Sequence, residues 1–267
     1  GVVNRFRQPT EVLCPQKLAT ARKNALRRVL AQNFRKHKKK TTIKEKRCQM
    51  IIFDDRKRTD YLFDLDGTLV DASDRLYRLF AALVPECDLD KRAYWALKRD
   101  KVVHSRILRE RYGYSDAAVA DFERRWLAEI ESAPSLARDR AYPDVIAVLR
   151  ELRRRGHRLY LVTARQFPDA AREELGRLGL GSCLDGIGVT GPDRDKAREI
   201  RAFGPFAPGD MMVGDTGHEV CLGRAFGLVT VACTYGFLSE GRLREYAPDA
   251  LIGSPSDLLS LDCPSRT

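Results

Sequence analysis

Tyr61-Leu62-Phe63-Asp64-Leu65-Asp66-Gly67-Thr68-Leu69-Val70-Asp71 runs apolar, sets two carboxylates two residues apart, and turns on a glycine. Along a strand, residues i and i+2 face the same side, so Asp64 and Asp66 are expected to project together where the strand ends. In an open α/β sheet that carboxyl edge borders the ligand crevice. Two carboxylates there repel, and burial penalises each of them. A cation between them removes the conflict, and oxygen-only ligation suits Mg²⁺. Gly67 permits the sharp turn, and Thr68 can cap the segment after it.

Outward from this stretch, strand and helix patterns alternate. Tyr61–Leu65 reads as a short buried strand, and Ser73–Val84 as a helix with Leu76, Leu79, Phe80 and Leu83 on one face. Only helical patterns occur between Asp90 and Ala141: Lys91–Ile107, a break at Tyr112-Gly113-Tyr114, then Asp116–Ile130. Beyond Pro143 the alternation returns. Helices are read at Asp144–Arg155, Pro168–Leu178, Arg194–Phe203 and His218–Phe226, with strands at Arg158–Val162, Gly186–Thr190, Met211–Val213, Leu228–Ala232 and Leu251–Ile252. A βαβα succession predicts an α/β fold, a Rossmann-like doubly wound parallel sheet covered on both faces. The helical block at 75–141 is inserted after the first strand. The expected organisation is a catalytic core of 58–74 and 142–267, the helical insert at 75–141, and an N-terminal arm at 1–49.

That arm accounts for the formal net charge of +11. Residues 1–50 carry 15 Lys and Arg against Glu11 and Glu45, while the rest of the chain carries 33 basic and 35 acidic residues. A block such as Arg35-Lys36-His37-Lys38-Lys39-Lys40 is expected to be a flexible, solvated arm, and its charge suits a nucleic acid or an anionic surface. Gln16–Phe34 also has the spacing of a basic amphipathic helix, and Met50-Ile51-Ile52-Phe53-Asp54 the look of a strand start. No apolar run approaches the roughly 18 residues that cross a bilayer, and no secretory signal is read at the N-terminus. The seven cysteines are scattered singly, which argues for reduced thiols in a cytoplasmic protein rather than a disulfide framework or a zinc site.

Asp64-Leu65-Asp66-Gly67-Thr68-Leu69-Val70-Asp71 resembles the first motif of the haloacid-dehalogenase-like hydrolases, and the order of the later segments resembles the rest of that family's pattern. Thr163 closes Leu159-Tyr160-Leu161-Val162-Thr163 as the second motif. Lys196, in Asp193-Arg194-Asp195-Lys196, fits the third, with Arg165 as a rival. Met211-Met212-Val213-Gly214-Asp215 supplies the fourth, with Glu219 four residues on. The resemblance spans about residues 60–260. It implies Asp64 as nucleophile toward phosphorus, Asp66 as a general acid protonated at the outset, Thr163 and Lys196 as holders of the phosphoryl oxygens, and Mg²⁺ held by Asp64, the Asp66 main-chain carbonyl and Asp215. Glu219 stands where an aspartate is commoner and is expected to orient metal-bound water. Asp66 argues against a dehalogenase.

The insert at 75–141 resembles the helical cap of the phosphoglycolate-phosphatase-like branch, whose caps cover the site and select the leaving group. Lys98, Arg99, Lys101, His104 and Arg106 are the candidate contacts. The implied activity is a Mg²⁺-dependent phosphatase acting on a small phosphorylated metabolite. Phosphomutase chemistry on the same core, and a nucleic-acid-associated protein using the arm, are the alternatives.

Overall fold

A computed structural model describes residues 58–261 of the chain. The arm, its basic helix and the Met50–Asp54 strand start lie outside the described residues.

The core is a six-stranded, wholly parallel sheet in the order β5-β4-β1-β6-β7-β8. Its strands are β1 (Asp60–Phe63), β4 (Arg158–Thr163), β5 (Gly186–Val189), β6 (Met211–Gly214), β7 (Val229–Cys233) and β8 (Ala250–Ile252). A second, two-stranded antiparallel ribbon joins β2 (Val70–Asp71) to β3 (Arg140–Ala141), pairing the chain leaving the core with the chain returning to it.

The central strand β1 is buried at every position, as a strand covered on both faces must be. Tyr61 and Phe63 point into one apolar cluster, against Val148, Leu149 and Leu152 of α6 (Val145–Arg154). Leu62 points the other way, joining Tyr160, Val162, Met212 and Ile200. The spacing of Val145, Val148, Leu149 and Leu152 is the one that puts a single helical stripe on a sheet. Truncating one of these fully buried side chains to alanine costs about 2–5 kcal/mol. Around the sheet run α7 (Pro168–Arg177), α8 (Lys196–Ala202), α9 (Gly217–Ala225), α10 (Glu240–Arg244) and α11 (Leu258–Leu261).

Between β2 and β3 lies the helical insert: α1 (Ser73–Leu83), α2 (Lys91–Arg99), α3 (His104–Tyr112), α4 (Asp116–Glu129) and the short α5 (Ala133–Leu136). It has its own apolar cluster around Phe80, Tyr94, Leu108 and Phe122. Here the sequence reading needs correction, because Lys91–Ile107 is two helices rather than one. The chain turns at Lys101, which takes a left-handed φ of 65°. Lys101 N–H then bonds the Lys98 carbonyl and Val102 N–H the Leu97 carbonyl, both at 2.9 Å. This is a Schellman ending with lysine where glycine is usual. Among the described residues, no helix is long and apolar enough to cross a membrane.

Candidate active site

Strands β4, β1 and β6 are neighbours, and Phe63 of β1 pairs with Leu161 on one side and Val213 on the other. Their carboxyl ends therefore share one edge, which brings Thr163, Asp64 and Asp215 to the same cleft from distant parts of the sequence. The strand β1 ends at Phe63, two residues earlier than the sequence suggests, and Asp64 N–H makes one further bond to the Val213 carbonyl at 2.9 Å. Asp64 and Asp66 therefore do not share a strand face. They turn to different partners.

Asp64 faces Lys196. The ammonium donates to Asp64 Oδ1 at 2.5 Å and to Glu219 Oε1 at 2.7 Å. All three side chains are at least nine-tenths buried. Lys196 opens α8, where Asp195 accepts the Arg198 N–H and fixes the first turn. Glu219 lies in the first turn of α9, whose cap Thr216 accepts the His218 N–H and donates its hydroxyl to the Glu219 carboxylate. Glu219 is thus a partner of the lysine and of its own cap, Thr216.

Asp215 is fully buried. Its Oδ2 accepts the Phe237 N–H at 2.7 Å, and the Thr68 hydroxyl stands 3.5 Å from Oδ1. Gly67, at φ +82°, passes so close that a Cβ there would lie 1.8 Å from Asp215 Oδ2. Only glycine fits this turn against this carboxylate.

The charges in this cluster do not balance. Among the described residues, Lys196 is the one ammonium that meets Asp64 and Glu219, and Asp215 lies beside them. Burial pushes Asp64 up to about 7 against the pull of Lys196. Burial, then the neighbouring Asp64 and Glu219, pushes Asp215 well above the usual carboxylate range. Burial would also raise Glu219, but Lys196 outweighs it and holds this carboxyl near 2. Among the described residues no three His, Cys, Asp or Glu side chains form a ready metal cage. The expected set is two carboxylates and one main-chain carbonyl, all oxygen, in a pocket short of positive charge. That chemistry fits Mg²⁺, which takes few protein ligands and keeps its waters.

Asp66 is held by two arginines that sequence reasoning did not bring to it. Arg165 Nε reaches Asp66 Oδ2 and Arg165 Nη2 reaches Oδ1, both at 2.8 Å, while Arg75 Nη2 reaches Oδ1 at 2.7 Å. Burial would raise the Asp66 carboxyl, but Arg165 and Arg75 override it and lower it. The two guanidinium groups therefore favour the carboxylate form of Asp66, and the protonated form expected of a general acid calls for an anionic phosphate beside it. Arg165 is not a rival to Lys196 but a partner of Asp66. Behind the arginines lie Asp139, 3.0 Å from Arg75 Nε, and Glu174, 2.9 Å from Arg165 Nη2. Arg75, Asp139 and Glu174 are each no more than 3% exposed. The one local signal for any of them is that Arg75 occupies a core-facing position of α1, between Ala72 and Leu79.

Thr163 is buried at the end of β4, its carbonyl accepting the Thr190 N–H at 3.1 Å. The five candidate contacts in the insert scatter. Lys98 caps the Val102 carbonyl, and Lys101 reaches the Tyr246 hydroxyl at 2.6 Å. His104 bonds the Tyr94 hydroxyl within a ring of aromatics. Arg106 pairs with Glu110 on the surface, and Arg99 reaches the core. Lys98, His104, Trp126 and Arg194 together line a cavity of about 340 Å³. None of the four described cysteines is joined in a disulfide.

Residues 61–217 match the model of the family described as haloacid dehalogenase-like hydrolase. A phosphoglycolate phosphatase of Synechococcus elongatus is 30% identical over 205 residues, covering 74% of this chain and 94% of that protein. A pyrophosphatase, PpaX, of Bacillus velezensis is 26% identical over 78% of this chain and 97% of its own length. Among solved structures, a haloacid dehalogenase-like hydrolase of Streptococcus pneumoniae superposes with a TM-score of 0.57 at 24% identity, over 76% of this chain and 98% of that one. Motif order, sheet order and these matches agree: the chain belongs to the haloacid dehalogenase-like hydrolases and is an enzyme of their phosphoglycolate-phosphatase-like branch.

Proposed function

We propose that the protein is a Mg²⁺-dependent phosphatase that hydrolyses a small phosphomonoester through an aspartyl-phosphate on Asp64. The observation that carries this reading is the cluster at the sheet edge. Lys196 bonds two buried carboxylates there, Asp64 and Glu219, the buried Asp215 lies beside them, and Asp64 directly follows strand β1. The phosphatase relatives support it.

In this reading Asp64 attacks phosphorus, forming an O–P bond as the ester P–O bond breaks and the alkoxide leaves. Lys196 orients the Asp64 carboxylate and, with Thr163, faces the phosphoryl oxygens. Mg²⁺, held by Asp64, the Asp66 carbonyl and Asp215, would supply the positive charge that lets an anionic nucleophile meet an anionic phosphate. Asp66 hands a proton to the leaving oxygen and takes one from the water that hydrolyses the acyl phosphate. As a carboxylate on two arginines it is set for the second task. The first requires Asp66 to take a proton from solvent as the incoming phosphate dianion draws guanidinium charge away from it. The insert acts as a cap that selects the leaving group.

A phosphoester panel assayed with Mg²⁺, wild type against Asp64→Asn, tests this. The variant is expected to keep its fold and lose more than about 10³-fold in turnover, the scale on which removal of a covalent nucleophile acts. Equal turnover by both removes Asp64 as nucleophile. Phosphate release without any bisphosphate activator separates the phosphatase from a phosphomutase.

A further inference from the structure

The Asp215 carboxylate is held from a segment with no regular structure. Residues 234–239 come directly after β7, and Phe237 N–H donates to Asp215 Oδ2 at 2.7 Å. The same segment presses its backbone onto the two acidic motifs. A Cβ on Gly236 would lie 2.3 Å from the Gly67 carbonyl oxygen and 2.4 Å from Asp215 Cβ. A stretch this close to the site needs something to hold its shape.

That support comes from the helical insert. Arg99, the last residue of α2, forks over the segment. Its Nη1 donates to the Gly236 carbonyl at 2.6 Å and its Nη2 to the Thr234 carbonyl at 2.7 Å. The Arg99 carbonyl in turn accepts the Ser239 N–H at 2.9 Å. One residue thus bonds the segment at three points on either side of Phe237. Trp95, one turn earlier on α2, packs on the Phe237 ring with centroids 5.1 Å apart. A planar guanidinium suits this task because its rigid fork fixes the directions of two parallel donors, whereas an ammonium on a flexible stem does not.

We propose that Arg99 is a positioning residue for the metal carboxylate Asp215: by clamping residues 234–239 it aims the Phe237 N–H at Asp215 and so links the seating of the insert to the affinity of the site for Mg²⁺. This rests on the reading of Asp64, Asp66 and Asp215 as the Mg²⁺ site. Groups that orient a ligand from outside the coordination sphere are worth about 10–100-fold in metal affinity. Arg99 acts through one intervening peptide, so the low end, about 10-fold, is the expectation.

The experiment is calorimetric titration of Mg²⁺ into the full chain, with no substrate present, for wild type, Arg99→Met, Arg99→Lys and Arg242→Ala. Arg242 pairs with Asp100 at 2.8 Å in the same contact between insert and core, but touches neither carbonyl. Arg99→Met is expected to weaken Kd about 10-fold, and Arg242→Ala to leave it unchanged. Arg99→Lys keeps the charge and guards against a folding defect; it is expected to weaken Kd because it loses the fork. Amide exchange without metal gives a second reading, with faster exchange across 234–239 in Arg99→Met and none across α9. Wild type that binds Mg²⁺ while Arg99→Met binds equally well overturns the inference and spares the site. Equal weakening by Arg242→Ala overturns it too, because docking in general would then be the cause. Wild type that binds no Mg²⁺ overturns the reading of the site itself.

Discussion

Two buried charge clusters sit side by side in the cleft and differ in how they are balanced. Around Asp64, one ammonium serves three carboxyl groups, and Asp64 and Asp215 are pushed upward as a result. Around Asp66, two guanidinium groups serve three carboxyl groups, Asp66, Asp139 and Glu174, and Asp66 is pulled downward. The first cluster is short of positive charge, and the proposed Mg²⁺ would complete it. The second completes itself from the chain, using residues from α1, the return to β3, the β4–α7 connection and α7. Acidic residues at the same density thus become a place to load a cation or a strut, according to how many arginines fold in beside them.

The largest expected effect tests the strut. Arg165→Met removes a cation that is 3% exposed and leaves Asp66 and Asp139 to Arg75, and Glu174 to the more distant Arg177 at the rim. Stranding a buried charge in this way costs about 3–5 kcal/mol. Urea denaturation is expected to show that loss, and Mg²⁺ is expected not to restore it. A loss below about 1 kcal/mol would place the pair with surface bridges and break the contrast. Next in size is the response of the other cluster. Mg²⁺ at 100 times its Kd is expected to stabilise the wild type by about 2.7 kcal/mol, read as a raised melting temperature, and Asp215→Asn to abolish the gain. Lys196→Met is expected to gain at least as much as wild type, since the ion then supplies the charge that the ammonium did.

Legibility in the sequence divides along the same line. Asp64, Thr163, Lys196 and Asp215 were legible because each ends or opens an element whose apolar pattern is strong, and a parallel sheet gathers strand ends at one edge. Arg75, Asp139 and Glu174 were not. Asp139 and Glu174 are lone charged residues in charge-rich stretches with no local mark, Arg75 has only its core-facing place on α1, and the partners that bury all three are distant in sequence. The break at Lys101 escaped for a related reason: a left-handed lysine carries no compositional mark, whereas Gly113, which closes α3, does. The Glu219–Lys196 contact is also hidden, because four residues of sequence do not reveal that the first turn of α9 aims at Lys196.

The pH response is the effect most specific to the second cluster. Burial pushes the Glu174 carboxyl up to about 8, against the pull of Arg165, and Asp139 beside it is raised as well. Arg177 stands 4.0 Å off, at the rim. Neither Glu174 oxygen has a hydrogen-bond donor among the described residues; a proton on Glu174 resolves this, because the carboxyl then donates to Asp139. The unfolded chain gives up that proton near 4.5, while the native state keeps it until about 8. Between those values the native state binds more protons, so stability falls as pH rises. In Glu174→Gln the amide donates at every pH and this contribution to the slope vanishes. Asp64 shares the window and the sign, so the difference between the two proteins carries the information rather than either curve alone. The variant is expected to match wild type near pH 5 and to exceed it near pH 8 in chemical denaturation. A variant that is weaker than wild type at both ends would mean that Glu174 is ionised and its pairing with Arg165 matters as a salt bridge, and the second cluster would then be no better balanced than the first.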